Sequence, residues 1–256
     1  MPKLGRKLEN IKEVLKTRPE LSRFTPEEWQ NTHDFLNHEG FSSLKFAEII
    51  SQNPKLMTTS QEKILSSINS WRSFQFGEKE TIKLLERYPE FLEIQPSKQI
   101  TTKIDTLMNF VGGGSHIFQL LINSPTVISQ PIVSITEKIE YLQTVMKVPA
   151  LEVYKSAVFS LDLFALKTRH IFLTRLGLYV VRKKPDDISS NPQLYHITDT
   201  SDKRFATKVC HVTLEEFETF QELYKRELDE EQDEMSDDEN YEVNATERVD
   251  DGLAKW

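Results

Sequence analysis

The chain has one cysteine among its 256 residues, Cys210, so no intrachain disulfide can form. A reducing compartment is the simpler setting, with organelle matrices compatible. No run reaches the roughly 18 apolar residues that a membrane-spanning helix needs, and the start, MPKLGRKLEN, lacks the apolar core of a secretory signal. No segment carries a convincing strand pattern. Paired cysteines and a His-Glu-x-x-His motif are both missing, which removes the usual zinc signatures. The six histidines are scattered. Glycines 112–114 lack the strand and spacing of a dinucleotide fingerprint and read as a loop. Cys210 neighbours His211, but adjacent residues on a helix point apart, so the pair reads as packing and not as a nucleophile with its base. These absences predict a non-enzymatic protein with no cofactor, no metal and no small-molecule substrate.

Charge is present but unevenly placed. The net charge is −8, yet residues 227–256 hold thirteen acids against two bases, a local −11. Residues 1–226 are therefore mildly basic, at +3. A segment so acidic and so poor in apolar residues repels itself and is expected to be a disordered tail. It could mimic nucleic acid, although such tails more often act only in solubility.

Proline is also unevenly placed, and here the chain becomes informative. Pro19, Pro54, Pro89 and Pro125 each follow an apolar helical stretch (LKTRP, IISQNP, LLERYP, LLINSP), at spacings of 35, 35 and 36 residues. A fifth unit, SAVFSLDLFALK, keeps the frame with Leu161 in the proline position. A fixed period of this size marks stacked repeats, in which no single unit buries its own apolar face. Proline pushes the preceding residue out of helical geometry and so ends the helix there. The apolar residue two positions later (Leu21, Leu56, Phe91, Val127, Leu163) is expected to tuck beneath the helix just ended, in a single 3₁₀ turn. A longer helix then follows, with Ser97 as a possible N-cap in the third unit. The spacing thus predicts an all-α, right-handed superhelical solenoid of about 35-residue repeats over residues 1–226. Helices within about 186–226 would cap it, and the acidic tail would occupy 227–256.

These junctions, together with LKTRHIFLTRLGLY in the late unit and SDKRF at 201–205, resemble the mitochondrial transcription termination factor family. The resemblance covers about residues 4–212. It implies nucleic-acid binding in the mitochondrial matrix. The acidic tail after a final capping helix looks most like the vertebrate member associated with a Sun-domain-type RNA cytosine-5 methyltransferase and with ribosomal RNA. Binding of ribosomal RNA and recruitment of such a methyltransferase are the expectations that follow. Duplex mitochondrial DNA as the ligand, or a protein-only scaffold, are the alternatives.

Cations recur early in the post-proline helices: Lys63, Lys98, Lys103, Lys138, Lys167 and Arg169. They thicken toward the C-terminal end as Arg175, Arg182, Lys183, Lys184, Lys203 and Arg204, with Lys208 beyond them. Recurrence at matching repeat positions predicts a row suited to tracking phosphates, although lysines on helices also simply solvate an outer face. Segment 172–181 (FLTRLGLYVV) is apolar on more than one face. Leu176, Leu178 and Tyr179 there, with Phe217, Phe220 and Tyr224 of the last helix, are candidates for a partner-binding patch or for the core of the cap.

Overall fold

A computed structural model describes residues 12–94, 98–181 and 190–230. Among them there is no strand, and helices joined by short turns account for the fold. In chain order the helices are α1 (12–17), α2 (Pro26–His38), α3 (Phe46–Gln52), α4 (Gln61–Arg72), α5 (Glu78–Arg87), α6 (Lys98–Val111) and α7 (Gly114–Asn123). Then follow α8 (Ile132–Glu140), α9 (Ala150–Tyr154), α10 (Leu163–Arg175), α11 (Leu194–Thr198), α12 (Asp202–Arg204) and α13 (214–230). A π-helical turn, Tyr141–Val145, extends α8, and another, Phe205–Cys210, extends α12. The described residues form two compact units, 12–161 and 162–230.

In the first unit every proline junction behaves as its chemistry requires. Single 3₁₀ turns run Pro19–Arg23, Pro54–Met57, Pro89–Glu93 and Pro125–Ser129, each opened by the proline. The residues before them, Arg18, Asn53, Tyr88 and Ser124, have ψ between 64° and 80°, outside helical geometry. Leu21, Leu56, Phe91 and Val127 are buried, as the spacing predicts. Ile49, Ile50, Leu84, Leu85, Leu120 and Leu121, the apolar pairs that precede the prolines, are fully enclosed and form the core beside them.

The fifth junction is corrected. Its 3₁₀ turn is Val158–Ser160, and the closing bond from the Leu161 amide to the Val158 carbonyl matches that from Gln130 to Val127. The spacing from Val127 to Val158 is thus 31, not 36, and Ser156, not Leu161, holds the position of the earlier prolines. The cause is local: α9 has five residues where α7 has ten. Leu163 therefore does not tuck beneath a helix; it opens α10 behind the N-cap Asp162, whose carboxylate accepts the Ala165 amide at 2.7 Å.

Side chains stitch each repeat to the carbonyls of the next. At the ends of the shorter helices, Arg18 donates to the Ser51 carbonyl (3.2 Å), Asn53 to Pro89 (3.0 Å), Tyr88 to Ile122 (2.6 Å) and Asn123 to Tyr154 (2.9 Å). From the longer helices, Trp71 donates to the Phe91 carbonyl at 3.0 Å, Lys103 to Ile128 at 2.8 Å and Lys138 to Leu161. A turn that stops after four or five residues leaves carbonyls without intrahelical partners. Of the carbonyls named, Ile128 and Leu161 lie at the ends of such turns, and Lys103 and Lys138 meet their need from the preceding repeat.

The second unit is built on aromatic packing. Phe172 of α10 lies 5.1 Å from Phe217 and 4.8 Å from Phe220, both on α13, and Phe205 lies 5.0 Å from Phe217. Helix α13 opens with a capping box: the Thr213 hydroxyl accepts the Glu216 amide, and the Glu216 carboxylate accepts the Thr213 amide. That bonding holds the Glu216 carboxyl below its ordinary range. The helix continues to residue 230, four residues into the acidic run.

Candidate nucleic-acid interface

The predicted row of cations separates into groups with different geometry. Lys63 and Lys98 are exposed on α4 and α6. The same two helices line an open groove of about 680 Å³, whose lining includes Glu62, Ser66, Asn69, Ser70, Ser73 and Thr101. That groove is rich in hydroxyls and holds one acid, so its walls are close to neutral.

Lys103, Lys138 and Arg169 do something else, and the reading of these three is corrected in its physical meaning. Lys138 is 1% exposed, with its ammonium on the Leu161 carbonyl and 5.6 Å from the Phe159 ring centroid. Arg169 is 4% exposed. Its guanidinium donates to the carbonyls of Ile197 and Thr200 and to the Asp202 carboxylate (2.7 Å), and lies 4.9 Å from the Phe205 ring centroid. Lys103 is half-buried on the Ile128 carbonyl. The offset from 138 to 169 equals the 31-residue step of the fifth repeat. Lys138 and Arg169 thus stand one repeat step apart, and both face backbone carbonyls, as Lys103 does. Charge-assisted bonds of this kind are among the stronger ones a protein makes, and a phosphate could reach Lys138 or Arg169 only by breaking them.

In the second unit, Lys203, Arg204 and Lys208 are exposed on α12 and its π extension. Lys167 is half-buried on α10. Arg175 is exposed but engaged: its two Nη atoms meet the two Glu227 oxygens at 3.1 and 2.6 Å. The pairing raises the arginine's pKa and lowers the glutamate's. Arg182, Lys183 and Lys184, the Ser97 cap and the acidic residues from 231 onward lie outside the described residues.

The partner patch divides as well. Tyr179, Phe217, Phe220 and Tyr224 are 0–9% exposed and form the core of the second unit, so they offer no free surface. Tyr179 packs edge-on against His170 at 4.7 Å. Burial lowers the pKa of that histidine to about 4. Leu176 is exposed and Leu178 half-exposed. Val180 is 65% exposed, with both its amide and its carbonyl held at 2.8 Å by the side chain of Asn191. Cys210 is buried, which pushes its thiol up to about 12, and Arg169 acts weakly in the opposite sense.

One group escaped the sequence reading. Lys79, Lys83 and Arg87 are exposed on α5 and recur every four residues. The spacing in EKETIKLLER was the available signal. Among the described residues, no group of three or more His, Cys, Asp or Glu side chains is placed to hold a metal, and no helix is long and apolar enough to cross a membrane.

A family model described as mTERF matches residues 1–206. Transcription termination factor 4, mitochondrial, from mouse (Mus musculus) is 25% identical over 180 residues, which is 70% of this chain and 52% of that relative. The chain thus spans about half the length of that relative.

Proposed function

This chain belongs to the mTERF family, and on that premise we propose that it is a mitochondrial nucleic-acid-binding regulator acting in the matrix on ribosomal RNA. Its second role in this reading is to bring a Sun-domain-type RNA cytosine-5 methyltransferase to that RNA. The observation that carries the binding role is the exposed, solvent-facing set Lys63, Lys98, Lys203 and Arg204, with Lys208 beside the last two. Arg175 joins them whenever Glu227 releases it, and Lys167 lies along α10 between the groups in sequence. Contacts of this kind go to phosphates and position a ligand; base edges would have to supply any sequence reading.

The partner surface in this reading is the apolar strip of exposed Leu176, Val180 and Val181 with half-exposed Leu178, since the aromatic candidates are spent inside the unit. A strip of that composition suits the apolar centre of a protein interface. Duplex mitochondrial DNA is the second reading, favoured by the mouse relative's name as a transcription termination factor.

Crosslinking in intact organelles tests the choice. Recovery of ribosomal RNA supports the first reading, recovery of duplex DNA the second, and recovery of neither removes both. Co-elution of the purified chain with the purified methyltransferase tests recruitment. Val180→Asp should abolish it while leaving the unfolding curve in place.

A further inference from the structure

We infer that Lys79, Lys83 and Arg87 on α5 form a phosphate-backbone contact that engages a nucleic-acid strand lengthwise along that helix without reading its bases. The inference rests on the nucleic-acid reading above but assigns it to a surface outside the predicted row.

The spacing comes first. Residues four apart lie on one face of a helix, with a rise of about 6 Å per step. Three cations in line are therefore offered at intervals that successive phosphates along one strand can reach. No acid of the same helix is ion-paired with them among the described residues, and Glu80, half-buried three residues before Lys83, makes no salt bridge to it. Glu78 is taken by Arg72, at 2.7 Å from Nη2. Glu86 is buried, accepting the Ser42 amide at 2.6 Å and the Lys45 ammonium at 3.0 Å. None of the three cations is ion-paired among the described residues. Like charges at this spacing repel one another.

Two of the cations are also held in place. Lys83 lies 5.8 Å from the Phe118 ring centroid, on the neighbouring α7. Arg87 lies 5.8 Å from the Tyr88 ring centroid and donates to the Tyr88 hydroxyl at 3.3 Å. That hydroxyl is itself fixed, at 2.6 Å on the Ile122 carbonyl. Contacts between cations and rings restrain long side chains that would otherwise lose more freedom on binding. The aromatic rings beside the stripe are committed to packing: Tyr88 leans on Phe91, and Phe118 and Phe91 are buried. No stacking platform for bases remains there, which is why the contact is to the backbone and indifferent to sequence.

The test uses the full chain and three probes: a mixed-sequence single-stranded RNA, a homopolymer RNA and a duplex DNA. Affinities are read by fluorescence anisotropy between about 50 and 200 mM salt. The triple variant Lys79→Gln, Lys83→Gln, Arg87→Gln should lower the slope of log affinity against log salt by about 2 on single strands and nearly 3 on duplex. The loss should be equal for the two RNA sequences. A charge-preserving variant (Lys79→Arg, Lys83→Arg, Arg87→Lys) should retain the wild-type slope, which separates charge from helix integrity. If the wild type binds and the triple variant keeps its slope, the α5 assignment is overturned while the nucleic-acid reading stands. A loss confined to one RNA sequence overturns base-independence and with it the inference. If the wild type binds none of the three probes, both fall together.

Discussion

Replacing Arg169 by methionine distinguishes a clamp from a phosphate contact. The substitution keeps an unbranched apolar stem and removes the guanidinium from the carbonyls of Ile197 and Thr200 and from Asp202. Each charge-assisted bond to a carbonyl contributes about 1.5–3 kcal/mol, and the contact with the Phe205 ring about 1 kcal/mol. Against this, several kcal/mol are no longer spent keeping a guanidinium out of water. The Asp202 side chain is about half exposed (47%) and rehydrates when its partner leaves, so little is lost there. The net expectation is a destabilisation of about 2–4 kcal/mol, confined to the second unit. For a unit of this size that is a fall of roughly 10–20 °C in its unfolding midpoint. Arg169→Lys keeps the charge but loses the forked geometry, and should fall between the two. The assay is thermal unfolding followed by near-ultraviolet circular dichroism, with RNA affinity measured below the transition. A midpoint within about 2 °C of wild type, accompanied by weakened RNA binding, would refute the clamp and restore Arg169 to the phosphate row.

His170 gives a pH signature. Its folded pKa of about 4 lies below the ordinary value of about 6.5, so the unfolded chain binds the proton more readily. The stability this histidine influences is intact above pH 6.5 and drains away as pH falls toward 4, by about 3 kcal/mol in total. His170→Phe should flatten that limb in urea titrations, and an unchanged limb would contradict the assignment. Phe217→Ala should cost about 3–5 kcal/mol and unfold the second unit; loss of partner binding from a fully folded variant would show instead that the ring belongs to an interface. Cys210 should resist alkylation at neutral pH until the second unit unfolds, because its buried thiol stays protonated far above that pH. Rapid labelling of the native chain would be inconsistent with its burial.

The sequence made the first four junctions legible because proline acts locally: it removes an amide and restricts its predecessor wherever it occurs. The fifth was misplaced because nothing at Ser156 announces a turn, and the shortening of α9 cannot be read from a period extrapolated from longer helices. With the cations, the period relates Lys138 to Arg169 but carries no sign that both are buried on backbone carbonyls. Lysine and arginine are rarely buried, so a sequence offers little reason to expect Lys138 or Arg169 inside. Only the positions of the next turn's carbonyls reveal it. Tyr179, Phe217, Phe220 and Tyr224 had two readings open, interface or cap core, and packing against α10 decides for the core. The α5 stripe is visible as a spacing, but it lies on a helix that precedes its proline, outside the post-proline positions where the other cations recur.

Seven stitches between repeats run one way, side chain in the earlier repeat and carbonyl in the later one, against one that returns from Arg72 to the Glu39 carbonyl. An array assembled in this manner has a leading and a trailing end that are chemically unlike, as a zip has. Cut after any repeat, the N-terminal piece presents unsated N–H and O–H groups at its new edge, and the C-terminal piece presents bare C=O groups. Two such pieces can rejoin in only one orientation, so head-to-head pairing of copies through cut repeat ends is disfavoured by the bonding itself.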